Sequence, residues 1–187
     1  MSEKADQKLI KRILNRVSTN LAMLIDREIE IAEIEASREH TRPAGEDQVH
    51  ISFRLRFTDE DGGESYGSIL VPLPDAISMA CFLMMVPDAE VSERRKDTDL
   101  DQGTKDAMLE VGNFIGAAVE EVCREVVPGT AVHSAGCQGV RKNVRPAFPY
   151  EEGDELLVGR AQARIHTFPE FELILMMPAA SLQVAAA

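Results

Sequence analysis

The stretch KDAMLEVGNFIGAAVEEVCREV, residues 105–126, constrains the fold more than any other. Stepped at about 100° per residue, as an α-helix advances, it gathers Met108, Val111, Ile115, Ala118, Val119, Val122 and Val126 into one arc. An apolar stripe of that length has to be buried against a facing sheet or helix. Yet the interior carries Gly112, Asn113 and Gly116. Each glycine costs about 1 kcal/mol of helix propensity against alanine, and the asparagine a little less. Both glycines fall on the shoulder of the apolar arc, four apart. There the missing side chains let a neighbouring backbone come close, so packing can offset the lost propensity. Thr104 is placed to cap this helix over 104–127, and Pro128-Gly129 stops it.

On the far side of the helix cluster Asp106, Glu110, Asn113, Ala117 and Arg124. Glu110 and Asn113, three apart, are surface neighbours. A weak helix former on an exposed face, with small Ala117 beside it, leaves the surface around Asn113 low and accessible. On pattern alone, an exposed Glu and Asn are a solvated helix face and carry no assigned chemistry.

The rest of the chain supplies the facing surface. Leu9, Ile13, Val17, Leu21 and Leu24 mark a first amphipathic helix over about 6–25. EIEIAEIEA reads as a strand, SREHTRPAGEDQ as a loop, and VHISFRLRF (49–57) with YGSILVPL (66–73) as a hairpin. PDAISMACFLMMV, opening on Pro74-Asp75, is a short buried helix whose methionines fill core. DAEVSERRKDTDLDQG reads as a charged, flexible connector over 88–103. After the glycine-bearing helix come three strand candidates: TAVHSAGCQGV, residues 154–168, and FELILMMP at 171–178. The class is α+β: two long helices laid on a mostly antiparallel sheet, with an α-β-β-β unit occurring twice. Residues 1–187 form one domain, frayed at 1–5 and about 180–187.

Charge and composition exclude several functions. The net charge of −12 repels phosphate backbones and anionic membrane surfaces, so neither nucleic acid nor membrane is an expected partner. No apolar run reaches the roughly 18–20 residues of a membrane helix, and the start MSEKADQKLIKRIL has no signal-peptide h-region. Cys81, Cys123 and Cys137, an odd count with no close pair, read as reduced thiols in a cytoplasm. His133-x-x-x-Cys137 with Cys123 matches no strong zinc spacing and lacks a fourth ligand, so no metal site is assigned. Walker, G-x-G-x-x-G and H-E-x-x-H motifs are absent, and His40, His50 and His166 read as surface or half-buried side chains rather than bases.

Asp106-x-x-x-Glu110-x-x-Asn113, followed by Gly116, resembles the signature of the CheC/CheX/FliY family of chemotaxis phosphatases. The likeness extends loosely over residues 8–180: an opening helix, a hairpin ending in GSILVPLP, a short helix, the motif helix and closing strands. It implies a CheC-like fold with pseudo-twofold halves. The first helix has Asn20, but Val17 stands where a Glu would be needed, so the resemblance is to single-site CheX rather than two-site CheC. Gly136 departs from the family pattern, which has a proline there.

The resemblance implies a partner and an activity. The partner is a phosphorylated CheY-like receiver domain, whose aspartyl-phosphate the family hydrolyses. The protein needs no cofactor of its own, since the receiver brings Mg²⁺. Glu110 and Asn113 are the implied catalytic residues, with Asp106, Gly112, Gly116 and Ala117 facing the partner. A non-catalytic CheC-like module that docks receivers or flagellar-switch proteins is the alternative expectation, and the Gly136 departure favours it. A third, a homodimer like CheX-like proteins, would use FELILMMP as a sheet edge.

Overall fold

The computed structural model describes residues 2–182. Helix α1 spans Glu3–Ile25, its N-terminus capped by Ser2, whose hydroxyl accepts from the Ala5 amide at 3.4 Å. Asp6 in the first turn accepts from Arg38 at 2.7 Å. Capped and tied, residues 3–5 are helical, which corrects that part of the expected frayed start; Met1 lies outside the described residues. At the other end Ala180–Leu182 form a 3₁₀ turn with Leu182 buried. Residues 183–187 of the expected frayed tail lie outside the described residues.

Strand β1 spans Ile29–Glu39, β2 His50–Thr58 and β3 Glu64–Pro72. β1 runs past the expected end because Arg38 and Glu39 go on pairing with Leu157 and Leu156. Helix α2 spans Leu73–Leu83, α3 Asp88–Arg94 and α4 Gln102–Val126. Strands β4 (Ala131–Val140), β5 (Leu156–Ile165) and β6 (Phe171–Pro178) close the chain. Of the methionines read as core filling, Met79 is buried, whereas Met85 is 89% exposed at φ 60° in the turn after α2.

The six strands pair antiparallel in the order β1-β5-β6-β3-β2-β4. Exchanging the first three strands for the last three reverses this order and leaves it unchanged. The expected twofold repeat of α-β-β-β is therefore present in the topology, with β3 and β6 meeting at its axis. This placement corrects the expectation of an open FELILMMP edge: β6 is enclosed by β5 and β3, and the edges are β1 and β4. β6 has its ladder groups taken on both sides, which a near-continuous apolar strand requires.

The connector expectation for 88–103 is also corrected. Seven of its residues are α3, whose Val91 is fully buried. Arg95, next in the chain, donates to Asp75 at 2.8 Å and to the Pro74 carbonyl at 3.2 Å, and stacks over Phe168 at 4.2 Å. Asp88 accepts from Arg27 at 2.6 Å and faces His166 at 3.2 Å. Two charges of the expected flexible connector, Asp88 and Arg95, are therefore tethers that hold this segment against the rest of the fold.

The main core lies between the helices and one sheet face, centred on Phe53, Leu55, Ile69, Ile115 and Leu175. A smaller cluster on the other face joins Leu70, Val158, Ile174 and Met176 to Phe148. Among the described residues, no helix is long and apolar enough to cross a membrane.

Candidate functional site on the outer face of α4

Asp101, not Thr104, caps α4: its carboxylate accepts from the Thr104 amide at 2.7 Å, and Thr104 is buried one turn inside. The helix rests on β4. A Cβ added at Gly116 would lie 2.8 Å from the Ser134 amide nitrogen, and one at Gly112 would lie 3.3 Å from the Phe53 ring and the Ser134 hydroxyl. Close backbone approach is thus where the glycine propensity is offset. The same contacts correct the partner-facing role expected of the glycines. Both point inward, buried against the sheet, and the low outer surface owes nothing to them.

Asp106, Glu110, Asn113 and Ala117 are all exposed, as their spacing requires. The Asn113 carboxamide reaches Glu110 at 3.5 Å, the long limit of a hydrogen bond, so the two groups are side by side without being locked. Asp106 accepts from Gln102 at 2.7 Å. The amide therefore stands in solvent, free to donate and accept at once. Sequence reasoning missed two flanking residues. Leu109 and Phe114, 43% and 41% exposed, border the polar band on either side. Their angles on the helical wheel, off the core arc, carried that signal.

Helix α1 holds a second result. Laying Val17 on Ile115 puts every buried residue of α1 onto a buried residue of α4. In that register the counterpart of Asn113 is Asn15, and Arg12 stands in the place of Glu110. This corrects the expected pairing of Asn20 and Val17 with the motif, since Val17 is buried in the core. Arg12 pairs instead with Glu125 of α4, and Arg16 donates to Glu121 at 2.7 Å. The first helix keeps the carboxamide and replaces the carboxylate with a cation.

Gly136 sits in the β4 bulge opposite Phe53–Leu55 with φ 86°. Proline, held near about −65°, cannot take that conformation, so the departure at this position is one of backbone path as well as side chain. The thiols are unpaired, and burial pushes Cys123 up to about 12. Among the described residues, no three His, Cys, Asp or Glu side chains converge to hold a metal ion.

No protein-family model and no curated protein matches the chain. Solved structures do. FliY from Thermotoga maritima matches with a TM-score of 0.71 at 13% identity, over 96% of this chain and 91% of that one. The FliM middle domain from H. pylori matches at 0.65 and 10% identity, over 96% and 92%. The chemotaxis protein CheX from Desulfovibrio desulfuricans matches at 0.55 and 14% identity, over 91% and 99%. The fold is therefore of the CheC/CheX/FliY type, shared with the FliM middle domain. It does not single out CheX, whose score is below that of FliY.

Proposed function

We propose that, on this fold, the protein accelerates hydrolysis of the aspartyl-phosphate of a CheY-like receiver domain. The observation that carries the reading is the exposed Asn113 amide beside Glu110 on the outer face of α4. Phosphoryl hydrolysis through a loose transition state asks for little covalent chemistry. It asks for a water in line with phosphorus and for charge neutralisation. The receiver supplies Mg²⁺ and a lysine, leaving one positioning group to be added. The Asn113 carbonyl oxygen accepts a hydrogen bond from the attacking water and its amide donates one to a phosphoryl oxygen, so the water is oriented with no negative charge brought toward the phosphate. Glu110 pairs with the receiver lysine and sets the register; Asp106 and Ala117 face the partner. The cytoplasm is the compartment consistent with three unpaired thiols.

The test is phosphate release from phosphorylated receivers of the same genome. Asn113→Ala is expected to remove most of the acceleration, roughly 10²-fold, with unchanged thermal stability. An unchanged rate would overturn the mechanism.

A second reading, a non-catalytic module that docks receivers or flagellar-switch proteins, is favoured by the likeness to the FliM middle domain. One such structure is a FliG–FliM complex from H. pylori, matching with a TM-score of 0.63. Receiver binding without faster phosphate loss would support this reading over the first.

A further inference from the structure

Beside the Glu110–Asn113 pair lies a groove of about 440 Å³, between the N-terminal half of α4 and the ends of β2 and β4. That volume is within the roughly 300–1,000 Å³ range of ligand pockets. Ile51, Met108 and Cys137 lie at its base, and Val49, Leu100 and Leu109 along its sides. Six large apolar residues are exposed among the described residues; Val49 and Leu109 line this groove, and Phe114 borders Asn113 across the polar band. Scattered singly, exposed apolar residues need no explanation, but two lining one groove, with a third across the adjoining polar pair, mark an interaction surface.

We propose that this groove is the second anchoring point of the receiver domain and takes an apolar side chain standing next to a lysine or arginine. The proposal rests on the reading that a receiver docks on α4, and adds where its affinity comes from. Charge selects the occupant. Asp99 and Asp106 line the groove, Glu110 follows one turn along, and among the described residues none of the three has an ion-pair partner. Within the lining two carboxylates, Asp99 and Asp106, outweigh one ammonium, Lys105, and Glu110 adds a further negative charge one turn beyond. An anionic segment is repelled there, and a cationic one next to an apolar anchor is favoured on both counts. Leu109 belongs to both features, as groove wall and as neighbour of Glu110. A partner that straddles Asn113 therefore covers the groove without a second docking event.

The experiment separates binding from chemistry. Val49→Asp puts a charge into the groove wall at a side chain already exposed, and Asp99→Lys reverses the charge of its lining. Each is measured for kcat and KM on a phosphorylated receiver, and for Kd with the same receiver carrying beryllofluoride. Both variants are expected to raise KM and Kd about tenfold with kcat within about twofold, and Asn113→Ala to do the reverse. Unchanged KM and Kd in both variants overturn the groove. So does a fall in kcat at constant KM, which would make it part of the reacting centre. If no receiver is dephosphorylated, the phosphatase reading fails while the Kd comparison still decides the groove. If no receiver binds the wild-type protein, the assigned occupant is overturned.

Discussion

The chemistry assigned to this protein sits in a single carboxamide. The outward placement of Asn113 and Glu110 was legible in the sequence because helical spacing carries both to the side opposite the core arc, while their chemistry came only from the resemblance of the motif. What each does to a partner is separable. Glu110→Gln keeps size and hydrogen bonding and removes the charge. It is expected to raise KM for the receiver by about three- to tenfold and to leave kcat nearly unchanged, as measured by steady-state phosphate release. Asn15 was not legible at the same scale. Its equivalence to Asn113 depends on matching buried positions of two helices, and the apolar letters of α1 permit more than one overlay.

At the scale of elements, α4 and α3 were read with opposite success. The bounds of α4 came from apolar period and stop signal, although Asp101 rather than Thr104 is the cap. Its two glycines are not equal. A methyl at Gly116 meets the Ser134 backbone at 2.8 Å, whereas one at Gly112 meets a ring edge and a hydroxyl at 3.3 Å, and both of those can yield. Gly116→Ala is expected to destabilise by about 1–2 kcal/mol after the helix-propensity gain, and Gly112→Ala by less than about 1, in urea unfolding. Equal losses would place the close approach elsewhere. Helix α3 was missed because its seven residues hold one core side chain, Val91, too few for a periodic signal. Its anchor is a neighbouring charge pair that no local pattern reveals. Burial holds the Asp75 carboxyl above its ordinary value while Arg95 draws it back. Arg95→Met leaves that carboxylate buried and unpaired, an expected loss of about 3–5 kcal/mol near neutral pH. Since a raised carboxyl pKa favours the fold when protonated, the deficit should shrink as pH falls through the Asp75 titration. A deficit independent of pH would deny Asp75 that role.

For the whole molecule, α+β layering and a repeated α-β-β-β unit followed from the order of periodic segments, and the strand order carries that repeat out. The core between helices and sheet also sets an alkaline limit. Cys123, fully buried, has its thiol pushed up to about 12 from an ordinary value of 9.0. The unfolded chain ionises this thiol first. The stabilising contribution is therefore complete below about pH 9 and is lost progressively as pH rises toward 12. Between pH 8 and pH 10.5, the wild-type unfolding free energy from urea titration is expected to fall more than that of Cys123→Ala, by up to about 1.4 kcal/mol per pH unit. Parallel curves would show that Cys123 does not ionise on unfolding in this range.

Local periodicity determined the helices other than α3, the strand segments, which face of α1 and α4 meets the core, and that Asn113 looks outward. Those properties depend on residues three, four or two positions apart, and the chain states them directly. Strand order, the enclosure of β6, the inward packing of both glycines and the groove at α4 were decided only by tertiary structure. Each joins residues tens of positions apart, and the free energy that fixes them comes from surfaces meeting across the fold rather than from neighbours along it.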